Sequence, residues 1–323
     1  MAEPVKVVLD CDTGVDDSMA IFYGLMAPEV EIVAIGCVWG NTYVETTTQN
    51  TLRLLEMTGN GHIPVAMGAA KPLLGPLPPV GTVHGLDGQG NTNLPPPSLA
   101  PSGETASQQL VRLAHERPGE LTLVAVGPLT NVALALAQDP SIARLYKNVV
   151  LMGGAFLHPG NITAVAEANI AHDPEAAQMV LTAGWPVTLV GLDVTLQARL
   201  TEALLQQLAD SGTVAGRHLR RITQHYLDFY AQRSGRRECA MHDAFALAIA
   251  ADPTLIQRGP RARVEVELTG THTRGMTVAD LRPQLRATPP PPAETDNATV
   301  VLAADSERFR ARFMEVLCGT LGH

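Results

Sequence analysis

The stretch Val5-Lys6-Val7-Val8-Leu9-Asp10-Cys11-Asp12-Thr13-Gly14-Val15-Asp16-Asp17 decides how the rest of the chain is read. Val5 to Leu9 is apolar and β-branched, the composition of a buried strand. Thr13-Gly14 supplies a turn, and Ser18-Met19-Ala20-Ile21-Phe22 starts a helix. Four carboxylates, Asp10, Asp12, Asp16 and Asp17, crowd the junction. Two like charges ~4 Å apart at an effective dielectric of ~20 repel by ~4 kcal/mol. A helix N-terminus accounts for one of them, Asp16 or Asp17, as a cap or dipole partner. It does not account for Asp10 and Asp12, which the strand period of two puts on one side of the strand end. A bound cation is the simplest way to offset the repulsion, so the junction reads as a metal site.

Working outward, strands are expected at Val5–Leu9, Glu31–Cys37, Leu121–Val126, Asn148–Met152 and Val187–Gly191. Helices are expected at Ser18–Met26, Val44–Thr58, Ser107–Glu116, Val132–Ala137 and Pro174–Thr182. Alternation of this kind marks βαβ units and a mainly parallel sheet. The expected fold is therefore α/β, a single domain over residues 1–323 with a Rossmann-like central sheet flanked by helices. Ligands of such sheets bind beyond the carboxyl ends of the strands. The aspartates follow the first strand and so lie on that edge. The other strand ends carry Trp39-Gly40-Asn41, Gly127-Pro128-Leu129-Thr130-Asn131, Met152-Gly153-Gly154 and Gly191-Leu192-Asp193. Residues 71–101, rich in proline and glycine around His84, are too long for a plain connection and read as a lid loop. Thr288-Pro-Pro-Pro-Pro292 reads as a second surface loop.

The chain has 323 residues, 46% hydrophobic and 17% charged, with a formal net charge of −9. That is the composition of a globular protein with a large core. The acidic balance argues against nucleic acid or an anionic membrane as partner. The N-terminus lacks the pattern of a signal peptide, and no apolar stretch reaches bilayer-spanning length. The four cysteines, Cys11, Cys37, Cys239 and Cys318, are scattered without a Cys-x-x-Cys pair, the pattern of free thiols in a cytoplasmic protein.

A second polar constellation lies at Gly160-Asn161-Ile-Thr-Ala-Val-Ala-Glu167-Ala168-Asn169-Ile170. Two amides and a carboxylate in nine residues suit hydrogen bonding to a polyol such as ribose, or equally a capped loop. Later, His242-Asp243 opens an apolar helix.

Taken in order, these segments resemble the inosine-uridine nucleoside hydrolase family over nearly the whole chain. The family's Asp-x-Asp-x-Gly-x-Asp-Asp appears at Asp10 to Asp17, with Asp12, Gly14, Asp16 and Asp17 carrying it. Gly40-Asn41, Gly127 to Asn131, Met152 to Gly154, Gly160-Asn161, Ala166 to Ile170, Asp173-Pro-Glu-Ala-Ala and His242-Asp243 match further elements, and Thr273-Arg-Gly-Met-Thr-Val resembles a C-terminal one. The resemblance implies Ca²⁺ held by Asp12, Asp17, Asp243 and the backbone carbonyl of Val126, all oxygen donors as a hard cation prefers. It implies Asp16, Asn41, Asn161, Glu167 and Asn169 around the ribose, with Met152 in the same pocket. Asp12 would be the general base on a calcium-bound water. His242 would protonate the leaving base, His being suited to that near neutral pH. His84 matches a loop His of the family, and Tyr226 and Tyr230, four apart on one helix face, match a helix that touches the base, or equally read as two amphipathic tyrosines on a surface helix. The implied reaction is hydrolysis of the N-glycosidic bond of a purine or pyrimidine ribonucleoside, in nucleoside catabolism and base salvage. The resemblance further implies a cytoplasmic homo-oligomer, dimer or tetramer, whose partner is a small-molecule ribonucleoside.

Thr13 stands where many members have Pro, Ala168 where many have an aromatic residue, and Trp39 is unusual before Gly40. The latter two sit near sugar and base, so the base preference stays open. Two other readings compete. A haloacid-dehalogenase-like phosphatase also starts strand-Asp-x-Asp, but its Thr falls where Gly14 stands here. A non-catalytic Ca²⁺-dependent nucleoside-binding protein would have no reason to keep both Asp12 and His242.

Overall fold

The computed structural model describes residues 3–285 and 292–320. The first βα unit forms as its composition requires, with β1 at Val5–Cys11 and α1 at Val15–Met26. The helix starts three residues earlier than expected. Gly14 is its N-cap, and the Asp17 carboxylate accepts the Gly14 amide at 2.8 Å, so Asp16 and Asp17 both lie in the first turn. Their charges there meet the positive end of the helix dipole.

The alternation continues through β2 (Val30–Cys37), α2 (Val44–Met57), β3 (Val65–Met67), α3 (Ala106–Glu116), β4 (Thr122–Ala125), α4 (Thr130–Gln138) and β5 (Asn148–Met152). Two short helices, α5 (Ala168–His172) and α6 (Pro174–Leu181), precede β6 (Val187–Val190). Then come α7 (Leu192–Thr195), β7 (Arg199–Thr201), α8 (Glu202–Asp210), α9 (Val214–Ser234), β8 (Glu238–Ala240), α10 (His242–Ala251) and α11 (Ser306–Leu317).

Across the main sheet the order is β3-β2-β1-β4-β5-β6, all parallel, followed by the strand Ala298–Val300, parallel to β6, and an antiparallel edge strand at Arg261–Ala262. β3, only three residues long, was not expected from sequence. The chain reverses its direction of winding between β1 and β4, and a crevice opens at such a switch point beyond the strand ends.

Each face of the sheet is covered, so the central strands are apolar throughout. In β1, Val7, Leu9 and Cys11 pack toward α1, α9, α10 and α11, while Val8 packs toward α3, α4 and α6. Asp10 sits among these strands and points away from the other three aspartates. Its Oδ2 accepts from Asn131 of α4 at 2.9 Å, and Asn131 also donates to the Cys37 carbonyl at 3.0 Å. Asp10 thus ties strand ends together, whereas Asp12 lies past the end of β1.

Residues 71–101 have little regular structure but are anchored. Gln89 is buried and donates to the Gly14 carbonyl and to Ser18 Oγ, and His218 of α9 meets its Oε1 at 2.9 Å. His225 of α9 meets the Thr82 carbonyl at 2.6 Å. The second proline break, 288–292, falls outside the described residues except for its last proline. Among the described residues no helix is long and apolar enough to cross a membrane.

Candidate active site

A cavity of about 500 Å³ opens at the carboxyl edge of the sheet over the β1–β4 switch point. Every expected site residue lines it except Asp17, which is fully buried directly beneath. The β1–α1 turn brings Asp12 and Asp16, the end of β2 brings Asn41, and the ends of β4 and β5 bring Val126 and Met152. Loop 160–167 and α5 bring Asn161, Glu167 and Asn169. The N-terminus of α10 brings His242 and Asp243, and α9 closes the opposite wall with Tyr226 and Tyr230. His84 reaches in from the proline-rich segment.

At the floor, carboxylate oxygens of Asp16, Asp17 and Asp243 lie within 4.8 Å of one another. Asp12 stands beside this trio, its Oδ2 accepting the Asn41 amide at 2.7 Å and its own amide donating to Asp17 Oδ1 at 3.1 Å. Asn41 Nδ2 donates to Asp17 Oδ2 at 3.1 Å, so Asn41 braces the carboxylates as well as lining the pocket. Two oxygens in this group, Asp12 Oδ1 and Asp16 Oδ1, are buried with no hydrogen-bond partner. Gly40 is required here: a Cβ at that position would lie 2.1 Å from Asp12 Oδ2.

The protein alone does not offset this concentration of charge. Burial pushes Asp17 up to about 7 and Asp16 to about 6, the neighbouring carboxylates adding to the rise at Asp17. Burial, then the charges around them, holds Asp12 and Asp243 well above the ordinary carboxylate range. A cation reverses that logic, because it favours the ionised form.

The ribose-type segment is built as a capped turn. Glu167 is the N-cap of α5, its carboxylate accepting from the amides of Asn169, Ile170 and Gly154 at 2.9–3.2 Å. Burial pushes Glu167 to about 7. Asn169 Nδ2 donates to the Val126 carbonyl at 2.9 Å and to the Met152 carbonyl at 3.1 Å, which holds two strand ends to α5. Asn161 Oδ1 accepts the Ala168 amide at 2.9 Å. The strand Thr277–Ala279, which follows Thr273-Arg-Gly-Met and pairs antiparallel with Val264–Val266, braces this wall, with Thr277 Oγ1 bonded to the Ala155 backbone.

On the opposite wall the two tyrosines are pocket residues, not surface ones. Their hydroxyls are 3.5 Å apart, and Tyr230 OH is 3.1 Å from His242 Nε2. The His84 ring packs 5.0 Å from Tyr226, and its Nδ1 accepts the Val15 amide at 3.2 Å, which fixes its proton on Nε2. Burial pushes His242 down to about 3 and His84 to about 4. The expectation that His242 sits near neutrality for proton donation does not hold in the protein by itself: its ring is neutral at pH 7.

Four residues of this wall follow the helical period: Tyr226, Phe229, Tyr230 and Arg233, all lining the cavity. Phe229 goes unmarked when only the i, i+4 pair Tyr226 and Tyr230 is read, although its place three residues after Tyr226 puts it on the same helix face. His172 also lines the cavity, 5.4 Å from the Trp39 ring, and no pattern in the sequence indicated it.

The family model described as inosine-uridine preferring nucleoside hydrolase matches residues 7–311. The chain belongs to this family. The inosine-uridine preferring nucleoside hydrolase of Crithidia fasciculata is 37% identical over 317 residues, 97% of this chain and 98% of that protein. The probable uridine nucleosidase 1 of Oryza sativa subsp. japonica is 40% identical over 276 residues, 85% of each chain. A solved plant nucleoside hydrolase, the PpNRh1 enzyme, superposes with a TM-score of 0.91 at 34% identity, covering 98% of this chain and 99% of that one. The fold is thus that of the nucleoside hydrolases, and the chain is an enzyme of the ribonucleoside hydrolase class. The phosphatase and non-catalytic readings find no support in these matches.

Proposed function

We propose that this ribonucleoside hydrolase uses a resident Ca²⁺ and releases ribose and the free base from both purine and pyrimidine ribonucleosides. One observation carries the metal: Asp16, Asp17 and Asp243 present carboxylate oxygens within 4.8 Å of one another, Asp12 stands beside them, and the buried Asp12 Oδ1 and Asp16 Oδ1 have no hydrogen-bond partner. The donors are all oxygen, which suits a hard cation of high coordination number and excludes a zinc-type thiolate or imidazole set. Asp12, Asp17, Asp243 and the Val126 carbonyl would hold the ion, with Asp16 close enough to share that duty. When bound, the cation offsets the carboxylate repulsion and lowers the pKa of a water at the site.

The remaining roles belong to the chain. Asp12 accepts the proton of the attacking water through its unpaired Oδ1. Asp16, Asn161, Glu167 and Asn169 bind the ribose hydroxyls, and Asn41 keeps Asp12 and Asp17 in place. As the glycosidic bond breaks, positive charge grows at C1′ and the ring oxygen, and the surrounding carboxylates stabilise it. Met152 packs beneath the sugar. Tyr226, Tyr230, His84 and His242 face the base, the tyrosine rings offering a flat apolar surface and His242 a donor at Nε2.

The names of the relatives, one for inosine and uridine and another for uridine, support a test on both base classes. Reducing-sugar release should be measured on inosine, guanosine, adenosine, uridine and cytidine, with and without a calcium chelator. Release from at least one purine and one pyrimidine ribonucleoside, abolished by chelation and restored by Ca²⁺, is expected. Release from none of the five, or full activity in chelator, would refute the proposal.

A further inference from the structure

The hydroxyl of Thr195 meets His242 Nδ1 at 2.7 Å on the side of the ring away from the cavity. Thr195 is fully buried and ends α7, the short helix that leaves the carboxyl end of β6. The Met241 amide donates to the Ala198 carbonyl at 2.8 Å, which locks the start of α10 to the turn after α7. Backbone contacts therefore set the hydroxyl and the imidazole against each other before any substrate arrives.

Hydrogen-bond satisfaction fixes the direction of this contact. Among the described residues, His242 Nδ1 is the one partner of the Thr195 hydroxyl. If Nδ1 carried the proton, Thr195 would accept it, and its own hydroxyl hydrogen would be stranded in the core, which is costly for a buried donor. If Thr195 donates to Nδ1, every hydrogen is used. The ring proton then sits on Nε2, which faces Tyr230 OH at 3.1 Å and lines the cavity. The imidazole is in that case a donor toward the base wall, with a fixed tautomer set by its far-side neighbour.

We propose that Thr195 is a positioning residue that holds His242 as the Nε2–H tautomer, so that a hydrogen-bond donor faces the departing base. This rests on the reading above that His242 lies against the base. The acceptor is a nitrogen or oxygen on the base on which negative charge grows as the glycosidic bond breaks. Thr195 touches neither substrate nor metal in this scheme, so its whole contribution passes through His242.

A double-mutant cycle tests this, with kcat and KM measured on inosine and uridine for Thr195→Val, Thr195→Ser, His242→Ala and Thr195→Val/His242→Ala. Valine keeps the shape and removes the hydroxyl, and serine keeps the hydroxyl. Thr195→Val should lower kcat by about 10-fold with KM within about 2-fold, Thr195→Ser should recover most of that, and the valine effect should vanish in the His242→Ala background. Nitrogen-15 spectra of histidine-labelled enzyme, with His242 assigned by its absence in His242→Ala, give a second readout that does not depend on activity. The wild-type ring should show protonated Nε2, and Thr195→Val should lose that preference. An Nδ1–H ring in the wild type overturns the inference, as does a valine effect that persists without His242. A harmful His242→Ala beside a harmless Thr195→Val also overturns it while sparing the role of His242. A harmless His242→Ala would instead remove the reading on which it rests.

Discussion

Calcium affinity should climb steeply with pH. In the metal-free protein the carboxylates that would hold the ion release their protons at higher pH than ordinary aspartates: Asp17 is pushed to about 7, Asp16 to about 6, and Asp12 and Asp243 well above the usual range, burial being the first cause in each. An ordinary aspartate near ~4 is already ionised at pH 5 and would give a pH-independent site. Each proton that the cation must displace makes Kd fall ~10-fold per pH unit, ~1.4 kcal/mol. Asp17 alone predicts ~50-fold tighter binding at pH 7 than at pH 5. A second displaced proton, from Asp12 or Asp243, multiplies that factor by up to ~100 and carries the slope past pH 7.

Stability follows the same protons. A carboxylate whose folded pKa is raised contributes stability that is complete below its unfolded pKa and is lost as pH rises through the folded value. For Asp17, moved from 3.8 to about 7, that loss is ~4 kcal/mol by pH 8. The buried histidines act in the opposite sense. His84, His172 and His218 are lowered to about 4 and His242 to about 3, so their contribution is complete above ~6.5 and is lost as pH falls through those values. Between pH ~4 and ~6.5 the two sets oppose each other, and above pH ~6.5 only the last part of the carboxylate loss remains, unopposed by the histidines. Added Ca²⁺ cancels the carboxylate part alone. Over pH 5 to 8 Asp17 loses ~2.6 kcal/mol of that total, so the gap in Tm between calcium and chelator should widen by ~5 °C at ~2 °C per kcal/mol. Titration calorimetry on chelator-stripped protein at pH 5, 6, 7 and 8, with scanning fluorimetry at the same points, measures both. A Kd constant within ~3-fold from pH 5 to 7, or a gap in Tm that does not change with pH, would refute the reasoning.

Other substitutions and substrates probe the remaining roles. Asp12→Asn keeps a donor oxygen but cannot take a proton, so kcat should fall by at least ~10²–10⁴-fold; near-normal turnover would remove Asp12 as the base. 2′-Deoxynucleosides should lose up to ~10⁴–10⁵ in kcat/KM, because Asp16, Asn161, Glu167 and Asn169 would be left with unpaired polar groups; comparable values for uridine and 2′-deoxyuridine would contradict the ribose assignment. His242→Ala should harm inosine more than uridine, by ~10²-fold, since purine N7 is an acceptor with no pyrimidine counterpart; equal losses would assign His242 a structural part. Gly40→Ala would place its Cβ 2.1 Å from Asp12 Oδ2 and should cost ~1–3 kcal/mol of stability together with calcium binding, read by scanning fluorimetry and calorimetry; unchanged calcium affinity would show that the carboxylate can shift without loss.

The sequence by itself determined the scaffold and the carboxyl edge. Strand–turn–helix periodicity is local, so the alternation around Asp12, Asn41, Val126 and Met152 was legible wherever a strand was apolar for four or more residues. It failed at β3, where three residues give too short a run, and it misplaced the start of α1, where Asp16 and Asp17 look like turn residues until the helix dipole accepts them. Likewise, the period of two put Asp10 beside Asp12, but only packing against Asn131 showed that Asp10 ties strand ends and leaves the cavity to the others. Tertiary structure alone decided how the cavity's walls meet. Tyr230, His242 and Thr195 come from three separate helices, and contacts between residues 12 and 47 positions apart leave no trace in local pattern. Protonation was equally out of reach of sequence. Asp17 near 7 and His242 near 3 arise from burial, and burial exists only once the sheet, α9 and α10 have closed over them.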